Sequence, residues 1–484
     1  MTWRALLPAR REAAAAAASA ALFTLAFPPV PLVVPAFLCL IPFALGIAEL
    51  ADGEGTGGGA FRFAYWAGML GYACTLYWIA IALSIYTKLA ILLPVTWVAV
   101  EMALMHISDL SFPWLPLGLA LARTPVLAQA AELSGVHGLS LWIAATNGLL
   151  ADAWLARRRW PAVAARIAAV IALAGAIWLY GNWRISTVAL KPVARVAIVQ
   201  PNVPQEDKWQ AQNQGRILGM LLVLTKEALK VRADSAAPQL VLWPEASLPG
   251  FLPEHPEWET AVSNVSLQSR TPIIFGVLDL NFPVPGQFEY FNAAMLSDTA
   301  GSIRAQPAYH KSFLVPVVER VPFVDPRWFR KLRYFGSFGR GGHQPPFTLP
   351  FGKVGVLICY ESIFPSLSRD YRRDGATILV NITNDAWFGR SLAPWQHEAH
   401  LALRAIENRV GIVRAANTGI SSYVDPLGRI HGETELFVSA TRQYSAESTD
   451  IRTLYVIAGD WIGWLCVALT IGLIIAARNT ERAA

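Results

Sequence analysis

Apolar residues fall into two regimes along the chain. Up to about residue 185 they form long runs, at 12–28, 31–50, 61–84, 89–107, 137–153 and 167–182. Between 193 and 445 they shrink to short bursts: VARVAIVQ (193–200), QLVLW (239–243), PIIFGVL (272–278), VGVLICY (354–360) and ATILVNIT (376–383). One more long run, 461–477, closes the chain before a basic, polar tail. A helix needs about 20 apolar residues to cross about 30 Å of hydrocarbon, and Trp and Tyr gather near the ends of the long runs, as interfacial anchors do. The short bursts, rich in β-branched residues and separated by helical or loop segments, instead predict the buried strands of an α/β domain. The pattern predicts a transmembrane helical bundle over 1–185 with six or seven spans, a globular domain over 193–445 and a transmembrane return helix over 455–478.

Composition agrees. Of 484 residues, 54% are hydrophobic and 15% charged, against about 45–50% and about 25% in soluble domains. A disordered chain is excluded. The net charge of +6 does not call for nucleic acid, because Lys and Arg flank the apolar runs as positive-inside anchors. The first run follows Arg10 and Arg11 like a signal peptide, but further spans come at once, so it reads as an uncleaved helix. Arg157, Arg158 and Arg159 mark a second cytoplasmic loop. The segment 112–132, broken by Pro113, Pro116, Arg123 and Pro125, decides the count between them. If it crosses, seven spans precede the globular domain, which then lies outside the cytoplasm.

Of the four cysteines (Cys39, Cys74, Cys359, Cys466), three lie in apolar runs and none forms a CxxC pair. Cys359 stands apart, at the end of a strand pattern in GVLICYES (355–362). A strand-to-helix elbow there exposes a side chain at the sheet edge beside backbone N–H groups. A second strand pattern ends on Glu245 in LVLWPEASLPG (240–250), and YHKSFLVP (309–316) sets Lys311 before an apolar run. Each alone reads equally well as a structural thiol or a solvated charge. Together they make a covalent-catalysis set: a carboxylate base, a cation and a thiol nucleophile. His397, Glu398 and His400 give HExH, not the HExxH that places two ligands one helical turn apart, so they read as structural and no metal is assigned.

The order Glu, Lys, Cys at strand ends resembles the nitrilase (carbon–nitrogen hydrolase) superfamily, and more narrowly the chain resembles the apolipoprotein N-acyltransferase family. WPE (243–245), K-x-x-LVP (311–316), ICYE (358–361), NDAWFG (384–389), PWQH (394–397), RAANTGISS (414–422) and DPLGRI (425–430) follow in family order, with W-x-x-x-E (97–101) and FPWLPLG (112–118) in the apolar part. The resemblance implies an αββα sandwich joined to a multi-pass helical membrane bundle. It implies Cys359 as nucleophile, Glu245 as general base and Lys311 as oxyanion stabiliser. Glu319, Tyr360 and Glu361 become supporting residues, and Trp209 sits on a substrate-covering loop. It further implies an acyl transfer from a phospholipid through a thioester to the α-amine of a diacylglyceryl-cysteine lipoprotein, at the bacterial inner membrane with the catalytic domain on the periplasmic face. No cofactor and no nucleic acid enter.

The chain departs from the family pattern in places. KSFLVPVVE (311–319) has Phe313 where the family has His, and Val317-Val318 where it has Phe-Gly. β-Branched residues resist φ > 0, so the loop is expected to be stiffer. Between Trp78 and Trp97 the chain is short by about one helix with its loop, and Leu104 stands where an Arg is usual. A membrane-tethered amidase of the nitrilase type, or an accessory protein resembling conjugal-transfer TraB of the same superfamily, shares the Glu–Lys–Cys set and stays open on these grounds.

Overall fold

A computed structural model describes residues 10–25, 92–231, 236–284, 287–324 and 337–483. The apolar runs 31–50 and 61–84, with Cys39, Cys74 and Trp78, lie outside the described residues. Helix α1 (Arg10–Leu25) belongs to one compact unit. Nearly all the other described residues form a second.

In the second unit, α2 (Leu92–Met105), α3 (Ala131–Leu155) and α4 (Trp160–Thr187) precede a thirteen-stranded core, and α9 (Trp461–Ala483) follows it. Among the described residues α4 is the one helix of at least 18 residues that is apolar enough to cross a membrane, with a mean hydropathy of 2.1 in its most apolar window. Trp178, Leu179 and Trp183 on it are exposed. α2 and α9 contain shorter apolar stretches.

The core is two sheets. In chain order the strands are β1 (Lys191–Gln200), β2 (Leu240–Leu242), β3 (Leu248–Phe251), β4 (Ile273–Val284), β5 (Gln287–Ser297), β6 (Tyr309–His310), β7 (Phe347–Leu349), β8 (Gly352–Ile358), β9 (Ala376–Thr383), β10 (Ile412–Ala416), β11 (Ser422–Val424), β12 (Ile430–His431) and β13 (Ala440–Ser448). One sheet runs β13-β1-β2-β4-β5-β6 with β3 on β4, the other β12-β11-β10-β9-β8-β7. Side chains on a strand alternate faces, and β1 shows the result. Val196 and Ile198 join the core shared with Val356, Ile358, Ile378 and Val380 of the second sheet. Ala197 and Val199 pack outward on Ile217 and Leu221 of α5 (Gln214–Ala228) and with Val262 of α6 (Pro256–Ser269). α7 (Pro365–Arg373) and α8 (Ala393–Asn408) cover the second sheet. The layers are helix, sheet, sheet, helix. All five sequence bursts lie on strands of this sandwich.

Segment 112–132, on which the span count turns, is not one continuous helix. It holds no span-length helix: an extended stretch is followed by 3-10 turn Leu117–Leu121, helical turn Pro125–Ala128 and the start of α3. Prolines 113, 116 and 125 lack the N–H a continuous helix needs. The segment packs on the sandwich instead. Trp114 Nε1 donates to Gln396 (2.9 Å), His400 Nε2 donates to the Trp114 carbonyl (2.9 Å), and Gln129 Nε2 donates to the Leu427 carbonyl (2.9 Å). Arg123 pairs with Glu398 and Glu433. α3 is itself broken at Gly135 (φ 66), where a Cβ would lie 2.6 Å from the Tyr455 ring. Glu407 of α8 accepts the freed N–H of Val136 at 3.0 Å.

A buried ionic clamp ties the helices to the sandwich. Glu132 of α3 accepts from Arg184 and Tyr180 of α4 and from Arg409 Nε, just past α8, at 2.7 Å. Arg409 is fully buried, so removing its carboxylate partner strands a charge, which costs about 3–5 kcal/mol. Glu132→Ala is therefore expected to lower the unfolding temperature in detergent sharply and Arg184→Ala, on the more exposed partner, by less. An unchanged transition in Glu132→Ala would show that the clamp does not stabilise the fold.

Candidate active site

Three loops at strand ends converge on one buried point. The chain leaves β2 through Trp243-Pro244-Glu245, and the turn lies so close on β4 that a Cβ at Gly276 would stand 2.6 Å from the Pro244 carbonyl. Ala246, next to Glu245, has φ 43. Lys311 follows β6, held in line by its N–H to the Asn292 carbonyl of β5 (2.9 Å). Cys359 follows β8 and opens a 3-10 turn, Cys359–Ile363. Its φ is 51, a left-handed conformation that costs a non-glycine residue about 1–2 kcal/mol. The elbow expected from the sequence is there, and it is strained.

Lys311 Nζ, 1% exposed, lies 2.8 Å from Glu319 Oε1 and 3.3 Å from Glu245 Oε1. Asn292 Nδ2 bridges the same two oxygens, 2.7 Å to Glu245 and 3.0 Å to Glu319. The other oxygens are met by backbone: Asn384 N–H donates to Glu245 Oε2 (2.9 Å) and Val315 N–H to Glu319 Oε2 (2.8 Å). Burial alone would drive the Lys311 ammonium down, but Glu319 and Glu245 more than offset it and hold its pKa above the ordinary value. Burial pushes the Cys359 thiol up, and Glu245 adds to this while Lys311 opposes it. At rest the thiol therefore keeps its proton, and a base beside it must take that proton before it can attack.

Behind Cys359 lies a second network. The Cys359 carbonyl accepts from Ser362 Oγ (3.0 Å), His397 Nε2 (3.0 Å) and, at 3.5 Å, Asn381 Nδ2. His397 Nδ1 faces Asp385 Oδ1 at 3.0 Å, and Arg414 Nη2 binds Asp385 Oδ2 at 2.5 Å. Burial opposes the Asp385 charge, but Arg414 and His397 prevail and lower its pKa to about 2. Cys359, Asp385 and His397 bring ligand-type atoms within 4.8 Å of one another. The guanidinium already occupying Asp385 disfavours a cation there, and His397 meets the Cys359 carbonyl as a hydrogen-bond donor. The network grips the strained elbow.

The other expected site residues are all close by. Glu361 is fully buried and accepts from Tyr309 OH (2.7 Å), the N–H groups of Ser312 (2.5 Å) and Phe313 (3.2 Å), and Ile358 N–H (2.7 Å). It pins the lysine loop to the cysteine turn, and burial raises its pKa to about 7. Tyr360 donates to the Ser111 carbonyl and stacks on Phe112, with ring centroids 5.8 Å apart. Trp209, half-buried, packs against Phe251, Leu278, Tyr290, Leu314 and Phe338. The loop after Lys311 does turn through positive φ, at Val317 (φ 68) and not at the Val318 that replaces Gly. A β-branched residue there is strained.

The carbon-nitrogen hydrolase family model matches residues 195–445, and the model of the apolipoprotein N-acyltransferase N-terminal domain matches 19–95 and 85–149. An apolipoprotein N-acyltransferase of Geobacter metallireducens is 31% identical over 95% of this chain and 94% of that one. The chain belongs to the apolipoprotein N-acyltransferase family. A relative of the same name from Chlorobaculum tepidum is 30% identical over 80% of this chain and 77% of its own. Among solved structures, a carbon-nitrogen hydrolase from Helicobacter pylori G27 is 17% identical, with TM-score 0.40, covering 52% of this chain and 88% of that one. Saccharomyces cerevisiae Nit3, of the nitrilase superfamily, is 19% identical, with TM-score 0.41, covering 54% and 92%.

For this family member, sequence reasoning missed Asn292, Asn384, Asp385, His397 and Arg414 as parts of the site. NDAWFG, PWQH and RAANTGISS signalled the last four as motifs without a role. Nothing in YFNAAML marks Asn292, which is placed by strand register alone. Charge-assisted hydrogen bonds contribute about 1.5–3 kcal/mol each. Asn292→Ala is thus expected to slow acylation or alkylation of Cys359 by roughly 10–100-fold in a folded protein. A wild-type rate would remove Asn292 from the site.

Proposed function

We propose that the protein transfers a fatty acyl chain from a membrane phospholipid, through a thioester on Cys359, to the N-terminal α-amine of a diacylglyceryl-cysteine lipoprotein. The observation that carries this reading is the buried Glu245–Lys311–Cys359 constellation in a chain of this family whose sandwich is locked to apolar helices. Glu245 takes the thiol proton as Cys359 Sγ attacks the ester carbonyl, preferably of the sn-1 chain. Lys311 stabilises the oxyanion of the tetrahedral intermediate. When that collapses, the C–O bond to the glycerol breaks, the alkoxide takes the proton from Glu245, and lysophospholipid leaves. The free α-amine then attacks the thioester. Glu245 receives its proton, the C–S bond breaks, and the thiolate takes the proton back. Splitting the transfer in two replaces one hard step by two moderate ones.

Glu319, Tyr360, Glu361 and Trp209 act around this centre. Glu319 shares Lys311 with Glu245, Glu361 fixes the two loops, Tyr360 meets the apolar segment through Ser111 and Phe112, and Trp209 covers the substrate side. Two lipid-anchored substrates give the helices their purpose: they hold the catalytic mouth at the bilayer. A multi-pass bundle in the inner membrane with the sandwich on the periplasmic face belongs to this reading; because 112–132 is not a helical crossing, that face requires the other apolar runs before the sandwich to cross an odd number of times.

Intact-protein mass spectrometry after incubation with phospholipid, acceptor withheld, tests the proposal. Wild type is expected to gain one acyl mass that hydroxylamine removes, and Cys359→Ala none. Glu245→Gln and Lys311→Met are expected to lose at least about 1,000-fold in the rate of that gain, the range for a base or oxyanion donor. A folded wild type that forms no adduct, or releases free fatty acid instead of acylating an amine, would overturn the transferase reading.

A further inference from the structure

Glu245, Glu319 and Lys311 do not balance. Two carboxylates face one ammonium, and all three side chains are buried. A buried net charge of −1 is costly unless a further cation stands close by. A further positive charge is needed, and the structure contains one. Lys208 closes the helical turn Gln205–Lys208, is 2% exposed, and donates from Nζ to the backbone carbonyl of Glu245 at 3.0 Å. Asn384 ties the same turn to the same glutamate, through Nδ2 to Gln205 Oε1 (2.8 Å) and N–H to Glu245 Oε2 (2.9 Å).

Resting on the Glu–Lys–Cys reading above, we propose that Lys208 is a positioning residue of this site. Its buried ammonium supplies the second positive charge that keeps Glu245 available as a base beside Glu319, and its hydrogen bond holds the turn on which Glu245 stands. The charge sum is then zero with the proton on Cys359. It stays zero when the proton moves to Glu245 and leaves a thiolate, so the transfer separates no net charge from the site.

The other charged groups around this centre are already answered. Asp385, which faces Cys359, is bound by Arg414. Glu361 also faces Lys311; its oxygens are held by four neutral donors, and burial raises its pKa to about 7, below the window that the Lys208 ammonium sets. On Lys208's own turn, Asp207 pairs outward with Arg216, and Glu206 is exposed. Lys208 itself faces Glu245 and Cys359. Burial lowers its pKa to about 8 while those two groups oppose the drop. The ammonium is therefore present below that pH and lost as pH rises through it. Activity that depends on it falls over the same window.

The experiment compares wild type, Lys208→Met and Lys208→Arg, each in detergent, by circular dichroism and by the pH dependence of Cys359 acylation from phosphatidylethanolamine micelles. In Lys208→Met the rate at saturating lipid is expected to fall by roughly 100-fold, the scale for losing one preorganised charge. The half-saturating lipid concentration should change by less than about threefold, because Lys208 lies behind the base and not on the lipid. Lys208→Arg keeps the charge, so it should recover most of the rate and move the alkaline fall above about pH 8. A wild-type rate in folded Lys208→Met overturns the proposal. If that variant does not fold, wild type and Lys208→Arg decide: an alkaline fall that is absent, or unmoved by arginine, overturns it. No acylation of wild-type Cys359 at all would instead overturn the underlying Glu–Lys–Cys reading and take this inference with it.

Discussion

One ammonium buried between two carboxylates sets the terms for the rest of the structure. Lys311 stays charged in a dry site only because Glu245 and Glu319 stand within 3.3 Å of it. Those groups come from loops after β2 and β6 of one sheet, with β4 and β5 between them, while Cys359 comes from the end of β8 in the other. The two sheets must therefore pack to within a side-chain length at their strand ends. Apolar residues of β1, β8 and β9 that share one core achieve that. A shift of one residue in β8 would turn Cys359, at its end, to the other face.

Each of the three loops that build the site carries strain: Cys359, Ala246 and Val317 hold positive φ, three of the nine such non-glycine residues among those described. None of these conformations is favourable by itself. At Cys359 the compensation is visible: three side-chain donors converge on its carbonyl, and one of them, His397, is fixed by an Asp385–Arg414 pair with no exposure to water. A histidine beside a nucleophile invites a Ser-His-Asp analogy. Its hydrogen bond to the carbonyl assigns it to the backbone, while Glu245 and Lys311 attend to the thiol.

The sandwich was legible in the sequence because its signals are local. Five β-rich bursts marked strands, with Glu245 and Cys359 at the ends of two of them and Lys311 set before an apolar run. The polar groups that complete the site were not legible for an equally physical reason. Asn292 reaches both glutamates only because β5 pairs with β4 in a register where Asn292 lies opposite Leu278, and Lys208 reads as a surface charge in QEDKW until the turn that carries it folds over Glu245. Segment 112–132 misled in the opposite direction. Its apolar composition matched a span, yet its prolines break a continuous helix and its polar contacts pack it on the sandwich as an irregular strap.

Helix α8 shows how the chemistry and the apolar helices are made one object. Residues three and four apart share a helix face, and along one face of α8 come His397, His400, Arg404 and Glu407, all buried. On most helices in such a core that stripe would be aliphatic. Here each polar group answers something outside the helix or a neighbour on it. His397 holds the Cys359 carbonyl, His400 the Trp114 carbonyl of the strap, Arg404 the Ile363 carbonyl and Glu407, and Glu407 the broken end of α3 at Val136. Arg409, just past the helix, completes the clamp on Glu132. An apolar stripe would pack as tightly but would tolerate sliding by a fraction of a turn. Directional hydrogen bonds do not. The stripe fixes the height and angle of Cys359 relative to α3 and α4, and if the substrates arrive along a bilayer, as proposed, that relation matters more than the extra stability of an oily face.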